Sequence, residues 1–113
     1  MGKLEKKIAL ITGAGSGIGK AAAKKFADEG ALVVVQDFNK ASAEEVSSSL
    51  PGSGHFALGG DVSNEQEMED AFSEVEKRCE RLDVLVNNAG VSGSPEGLGS
   101  ITYDSFMRML AVN

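Results

Sequence analysis

Three observations predict an α/β fold built on a doubly wound parallel sheet. Short apolar runs of strand length alternate along the chain with longer amphipathic runs of helical period. A glycine-rich turn over residues 12–19 joins the first apolar run to the first amphipathic run. The 113 residues suffice for one domain, over residues 1–113, and no internal repeat divides them. Right-handed crossovers then place helices on both faces of a sheet with the strand order 3-2-1-4.

The first strand and the first helix flank the glycine turn. Residues 8–12 are almost wholly apolar, as expected of a strand that is buried on both faces of a sheet. The helix that follows is predicted to bury Ile18, Ala22 and Phe26, because they are spaced four apart. Gly30 is predicted to end this helix, since glycine favours the left-handed conformation that follows many helices.

The second and third strands enclose a weaker helix. Residues 31–35 include three consecutive valines and predict a strand that ends at Gln36 and Asp37. Residues 40–50 predict a helix with Asn39 as its N-cap, and residues 54–60 predict a short third strand. The residues of this helix that are expected to face inward are Ala43, Val46 and Leu50.

The third helix has the clearest pattern. Ser63 is predicted to cap it, and Gln66 is predicted to complete a capping box. Its inward stripe is predicted to comprise Met68, Ala71, Phe72, Val75 and Cys79. Residues 82–86 predict a fourth strand, residues 91–101 a loop, and Thr102 the start of a last helix.

Composition and charge exclude several classes of function. The net charge of −6 disfavours nucleic acid as a partner, because binding it requires a basic face. No apolar run approaches the ~20 residues of a membrane span, and the N-terminus lacks the apolar core of a signal peptide. We therefore expect no membrane partner and a cytoplasmic location, with the mitochondrial matrix as the alternative. Cys79 is the single cysteine, so neither a disulfide nor a metal site is expected.

The glycine turn has the chemistry of a phosphate site. Its pattern is T-G-x-x-x-G-x-G, from Thr12 through Gly13 and Gly17 to Gly19. Glycines let the backbone approach a ligand closely, and the first N–H groups of the helix can point at an anion. An ordinary glycine-rich turn between a strand and a helix is the alternative.

Polar residues follow the other strands. Asp37 lies close to the ~20-residue spacing after the glycine turn that is expected of an acid bound to an adenine ribose. A helix-capping or surface aspartate is the alternative. Asp61 and Val62 follow the third strand, and the block Asn87-Asn88-Ala89-Gly90 follows the fourth. Asn113 shares the apolar face of the last predicted helix, although its position taken alone favours an asparagine that faces solvent at the end of a helix.

These motifs together resemble the short-chain dehydrogenase/reductase family, whose fold is a Rossmann-type sheet. The resemblance covers the whole chain in the family's order, and 3-oxoacyl-carrier-protein reductases and hydroxysteroid dehydrogenases look similar over this part. It implies a nicotinamide dinucleotide as cofactor and partner, with its pyrophosphate over the glycine turn. The residues implied to bind it are Gly13, Ser16, Gly17, Ile18, Gly19, Asp37, Asp61, Val62, Asn88, Ala89 and Gly90.

The resemblance also assigns roles within that set. Asp37 would hold the adenine ribose hydroxyls, and Asp61 with Val62 would flank the adenine. Asn88 would line the middle of the cofactor beside Ala89 and Gly90, and Asn87 would help to tie strands together. Asn113 would match the asparagine of the family's catalytic set, which supports a water and proton relay.

The chain departs from the family pattern after Asn113. The family's catalytic Ser and its Tyr-x-x-x-Lys pair follow this asparagine, whereas Tyr103 is the single tyrosine of this chain and Met107 stands where its lysine would be. We therefore expect the cofactor-binding half of an NAD-dependent oxidoreductase that passes hydride between NAD and a carbonyl or secondary alcohol. The full-length parent is expected to be a homo-oligomer that pairs through the helix starting at Thr102, and this chain alone is expected to be inactive.

Two alternatives remain open. The first is a non-catalytic dinucleotide-binding or interaction module that ends naturally at Asn113. The second is a phosphate-binding α/β domain unrelated to nicotinamide.

NAD is expected over NADP, because the Asp37 carboxylate would repel the 2′-phosphate of NADP.

Overall fold

The computed structural model describes residues 2–88, which form a four-stranded parallel sheet with helices on both faces. The elements in chain order are β1 (Ile8–Thr12), α1 (Gly17–Asp28), β2 (Leu32–Asp37), α2 (Lys40–Ser49), β3 (Phe56–Gly59), α3 (Glu65–Cys79) and β4 (Val84–Val86). The strands lie in the order β3-β2-β1-β4, and every neighbouring pair is parallel. The predicted α/β class and strand order 3-2-1-4 are confirmed. The predicted loop over residues 91–101 and the helix from Thr102 lie outside the described residues.

Two hydrophobic clusters make the fold a three-layer structure. Successive strand residues point to opposite faces, so Ile11 joins the cluster beneath α1 and α2 while Leu10 joins the cluster beneath α3. The valines of β2 divide in the same way, with Val33 and Val35 on the first face and Val34 on the second. Both faces of the central strands are therefore buried, which accounts for their almost continuous apolar sequence.

The predicted inward face of α1 is wrong by one residue. Gly19, Ala23 and Ala27 are the buried positions of this helix. Ile18 is 81% exposed, and Ala22 and Phe26 are only partly buried at the edge of the cluster. Small residues face the sheet because α1 packs close to its neighbours. A side chain as large as that of Ile18 would not fit on this face of the helix.

The end of α1 and the start of α2 agree with the prediction. Gly30 has φ +99°, and its N–H donates to the Ala27 carbonyl at 3.0 Å as the helix ends. The Asn39 side chain accepts from the Ser42 N–H at 3.1 Å, which caps α2. The predicted inward residues are all buried: Ala43, Val46 and Leu50.

The N-cap of α3 is Asn64, so the prediction of Ser63 is wrong. The Asn64 side chain accepts from the Glu67 N–H at 3.0 Å. The Asn64 N–H donates to the Asp61 carbonyl at 2.9 Å, and this turn leaves Ser63 outside the helix, with its hydroxyl bonded to Asp61. Gln66 does not complete a capping box, because its amide donates to the Asp70 carboxylate at 2.9 Å.

The predicted inward stripe of α3 is confirmed. Four of its residues are buried, namely Met68, Ala71, Phe72 and Val75. Cys79 is partly buried against the same cluster, and burial raises the pKa of its thiol. Over residues 2–88, no helix has both the length and the apolar character needed to cross a bilayer.

Candidate functional site

The glycine turn between β1 and α1 is tied to the end of β2 by its backbone. Gly13 and Gly17 have φ values of +64° and +58°, which favour glycine at both positions. The Ala14 N–H donates to the Gln36 carbonyl at 2.9 Å, and the Gly15 N–H donates to the Asp37 carboxylate at 2.8 Å. The turn is therefore held over the carboxyl ends of two neighbouring strands.

Gly19 is required by space rather than by its backbone conformation. A Cβ added there would lie 2.3 Å from the Gly13 carbonyl oxygen and 2.5 Å from the Asn88 side-chain nitrogen. At Gly17 an added Cβ would meet no atom of the described residues within 4 Å, so the positive φ explains the glycine and these residues leave the space above it open. The two glycines thus bring α1 close to the turn and leave an accessible backbone surface.

Among residues 2–88, no side chain caps the N-terminus of α1. Ser16 occupies the N-cap position in an extended conformation and makes no capping hydrogen bond, and the first turn contains no acidic residue. Ser16, Gly17 and Ile18 are all exposed, so the first N–H groups of the helix can reach a ligand. This end of the helix suits an anion such as a phosphate, because the helix dipole also favours negative charge there.

A cleft of about 300 Å³ adjoins the glycine turn. It lies between that turn, the end of β2 and the turn after β3, and its lining residues are Gly13, Ser16, Gln36, Asp37, Phe38, Gly60, Asp61 and Val62. Within the described part of the chain, this lining includes two carboxylates but neither lysine nor arginine. The Phe38 side chain is 79% exposed at its margin.

Asp37 is fixed by two backbone donors. One carboxylate oxygen accepts from the Gly15 N–H at 2.8 Å and the other accepts from the Asn39 N–H at 2.9 Å. An ionised carboxylate offers about four acceptor positions, so roughly two remain for a ligand. Asp37 can therefore accept from two neighbouring hydroxyls, such as those of a ribose, while it keeps its backbone contacts.

Asp61 is held in the turn that leads to α3. The Ser63 hydroxyl and the Ser63 N–H donate to one carboxylate oxygen at 2.7 and 2.9 Å. Both bonds lower the pKa of Asp61, and the bond from the hydroxyl has the larger effect. Asp61 therefore remains ionised near neutral pH. The Asp61 N–H donates to the Glu67 carboxylate at 2.8 Å, and Val62 packs against the second cluster.

Asn87 and Asn88 connect the end of β4 to the end of β1. The Asn88 N–H donates to the Thr12 hydroxyl at 3.0 Å, and its side-chain amide donates to the Gly13 carbonyl at 3.2 Å. The Thr12 hydroxyl also lies 3.3 Å from the Asn87 side-chain oxygen. The structure thus brings Asn88 to the glycine turn. Ala89, Gly90 and Asn113 lie outside the described residues.

Three residues of the cleft were not predicted from the sequence, namely Gln36, Phe38 and Gly60. Gln36 is fully buried at the end of β2, and its amide donates to the Gly60 carbonyl at 2.7 Å. A polar residue that ends a run of three valines was the available signal. Phe38 follows Asp37 directly, and only its exposure in the folded chain distinguishes it from a core phenylalanine.

Comparison with known proteins decides the family. The model of the short chain dehydrogenase family matches residues 7–113. The chain belongs to the short-chain dehydrogenase family. Meso-2,3-butanediol dehydrogenase of Serratia marcescens is 44% identical to it over 89 residues, which are 79% of this chain and 36% of that enzyme.

Solved structures of a reductase and a dehydrogenase share the fold. The 3-ketoacyl-(acyl-carrier-protein) reductase from Brucella melitensis, solved in complex with NADH, matches with a TM-score of 0.80 and 37% identity, over 96% of this chain and 50% of that one. Hydroxysteroid dehydrogenase from Escherichia coli matches with a TM-score of 0.82 and 35% identity, over 96% of this chain and 49% of that one. The resemblance read from the sequence is confirmed, and the chain spans about half the length of these two relatives.

Proposed function

We propose that this chain binds NAD and forms the cofactor-binding part of an oxidoreductase acting on a carbonyl or secondary alcohol. When bound, the nicotinamide supplies or accepts a hydride. The observation that carries the proposal is the uncapped N-terminus of α1 beside a cleft that contains the fixed Asp37 carboxylate. Family membership and the NADH complex of the Brucella melitensis reductase support the same cofactor class.

The residues present fit such a cofactor. The N–H groups at the start of α1 would hold the pyrophosphate, since the open space above Gly17 lets a phosphate approach the backbone. Asp37 would accept from the adenine ribose hydroxyls, and Asp61 and Val62 would flank the adenine at the other side of the cleft. The start of α1 also includes Ser16, Ile18 and Gly19, which would contribute to binding of the pyrophosphate. The middle of the cofactor would be lined by Asn88, Ala89 and Gly90.

NAD is proposed over NADP on electrostatic grounds. The 2′-phosphate of NADP would enter beside the Asp37 carboxylate in a cleft whose described lining offers no lysine or arginine. Lys40 lies nearby in sequence, but its ammonium is directed to Glu44, 3.9 Å away. Like charges placed together at a binding site cost several kcal/mol, so about a hundredfold preference for NAD is expected.

The test is titration of NADH and NADPH against the wild-type protein and Asp37→Ser, followed by fluorescence. Asp37→Ser should weaken NADH binding and bring the two affinities to within about tenfold of each other. Asp70→Ser is the matched control, because it removes the same charge from an exposed position of α3 that is not part of the cleft lining. Equal affinity of the wild type for both cofactors would contradict the proposed preference.

Catalysis is proposed to require groups that this chain does not contain. Hydride transfer to a carbonyl leaves negative charge on oxygen, and a positioned proton donor contributes roughly 10²–10⁴-fold. Asn113 is proposed to support the proton relay, but no Tyr-x-x-x-Lys pair occurs in the 113 residues. The purified 113-residue chain should therefore bind NADH without oxidising it over a panel of ketones and 3-oxoacyl substrates. Robust turnover would overturn this assignment.

A further inference from the structure

Gln36 is a buried polar residue whose side chain forms hydrogen bonds to two turns that line the cleft. It is fully buried and belongs to the cleft lining. Its side-chain oxygen accepts from the Gly13 N–H at 3.4 Å, and its side-chain nitrogen donates to the Gly60 carbonyl at 2.7 Å. One amide therefore links the glycine turn to the turn that precedes Asp61.

This contact adds to the other hydrogen bonds that hold the two turns, both of which are built on glycine. Gly13 and Gly60 have φ values of +64° and +131°, and neither has a side chain that could pack and fix its turn. β1 and β3 lie on opposite sides of β2, so the amide of Gln36 is placed between the ends of both neighbouring strands. Substituting it with an apolar side chain would remove the Gln36 partner of the partly buried Gly13 N–H and of the partly buried Gly60 carbonyl.

We infer that Gln36 is a positioning residue that sets the separation of the two turns, and with it the affinity for the adenosine half of the dinucleotide. The inference rests on the proposed function, since it assumes that this half occupies the cleft. Gln36 acts through Gly13 and through the Gly60–Asp61 turn. It holds the backbone that meets the phosphates and the carboxylate beside the adenine at a fixed distance from each other.

The experiment compares Gln36→Met and Gln36→Glu with the wild-type protein. Methionine has similar length but makes neither hydrogen bond, so binding of NADH and of ADP-ribose should weaken by the same factor, about tenfold. Glutamate keeps an acceptor for the Gly13 N–H, but its ionised form repels the Gly60 carbonyl. A protonated glutamate regains the donor, so ADP-ribose affinity of Gln36→Glu should improve towards the wild-type value as the pH falls from 8 to 5.

Val34→Ala is the matched control for a general loss of stability. Val34 is fully buried in the same strand and on the same face, but it lies outside the cleft lining. Calorimetric titration of ADP-ribose and thermal unfolding are measured on the same samples. Val34→Ala should lower the unfolding midpoint and leave the ADP-ribose affinity unchanged, whereas Gln36→Met should change both.

Each outcome supports or overturns the inference. Unchanged ADP-ribose affinity in a folded Gln36→Met, or an equal loss of affinity in Val34→Ala, overturns it while NADH binding by the wild type keeps the proposed function intact. If Gln36→Met does not fold, a pH profile of Gln36→Glu that is parallel to the wild-type profile overturns it. A wild-type protein that binds neither NADH nor ADP-ribose overturns the proposed function and this inference together.

Discussion

The N-termini of α1 and α3 differ in whether the N-cap side chain accepts from the first backbone N–H groups of the helix. Each helix begins with N–H groups that have no partner within the helix. In α3, the Asn64 side chain accepts one of them, and Glu65 and Glu67 place negative charge in the first turn. In α1, the N-cap Ser16 accepts none, and the first turn contains no acid.

The difference separates a helix end that stabilises the fold from one that is available to a ligand. At α3, the Glu67 carboxylate also accepts from the Asp61 N–H. Side chains of the local sequence therefore accept from backbone N–H groups in and before the first turn of α3. At α1, the glycines place no side chain over the first N–H groups of the helix. These N–H groups are therefore available to a ligand. Removal of the α3 cap should therefore alter stability alone, whereas changes at the start of α1 should alter binding.

The largest expected effect is that of Gly19→Ala. Its new methyl group would collide with the Gly13 carbonyl and the Asn88 amide, so the turn must shift. We expect NADH affinity to fall by roughly a hundredfold and the free energy of unfolding to fall by about 1–3 kcal/mol. Gly17→Ala meets no atom of residues 2–88, so it measures the conformational cost alone, about 1 kcal/mol of stability. Because its methyl group would occupy the space through which a phosphate approaches, it should also weaken NADH binding. NADH titration with thermal unfolding checks both, and wild-type affinity in Gly19→Ala would refute the assigned phosphate site.

A smaller effect is expected from removing the cap of α3. Asn64→Ala deletes the acceptor of the Glu67 N–H, so it should lower the free energy of unfolding by about 1 kcal/mol without changing NADH affinity. Ser16→Ala makes the equivalent change at α1, and its free energy of unfolding should stay within about 0.5 kcal/mol of the wild-type value. Urea denaturation measures both variants. An equal loss of stability in the two would mean that Ser16 caps α1 after all.

The smallest expected effect concerns the pH dependence of the corner before α3. The Ser63 bonds lower the pKa of Asp61 below its ordinary value of 3.8, so their stabilisation is present above that value and is lost as the pH falls through the lowered pKa. Ser63→Ala removes the hydroxyl and should raise the pKa of Asp61 towards its ordinary value. An NMR titration of the Asp61 carboxyl carbon measures the change.

Ser47→Ala is the control for this titration. The Ser47 hydroxyl donates to the Glu44 carbonyl on α2, so its removal should leave the pKa of Asp61 unchanged. If the pKa of Asp61 does not move in Ser63→Ala either, the Ser63 hydroxyl is not what lowers it.

The sequence predicted the sheet order and most elements, because the apolar periods of β2 and α3 are strong. It misplaced the inward face of α1, since glycine and alanine contribute little to a hydrophobic pattern and Ile18 contributes much. It also predicted Ser63 as the cap of α3, whereas the cap is Asn64. Both residue types cap helices well, and the turn formed by the Asn64 N–H on the Asp61 carbonyl decides between them.

The candidate site was predictable where it follows strand ends. The glycine turn, Asp37, Asp61 and Asn88 meet at one edge because the carboxyl ends of parallel strands lie together. Gln36 was not predicted as part of it, because its role depends on a hydrogen bond to Gly60, which is distant in sequence and lies beyond the next strand. Pattern alone cannot distinguish a buried, fully bonded glutamine from an exposed one at the end of a strand.

The two backbone bonds to Asp37 also have a consequence for entropy. With one oxygen on the Gly15 N–H and the other on the Asn39 N–H, the carboxylate is immobilised when the chain folds. Ordering a side chain during association typically costs about 0.5–1.5 kcal/mol, and a group that is already rigid avoids this cost. Glutamate at this position would preserve the charge but add a rotatable bond and displace the carboxylate from both donors. The acceptor at the end of β2 is thus defined by its rigidity as well as by its charge.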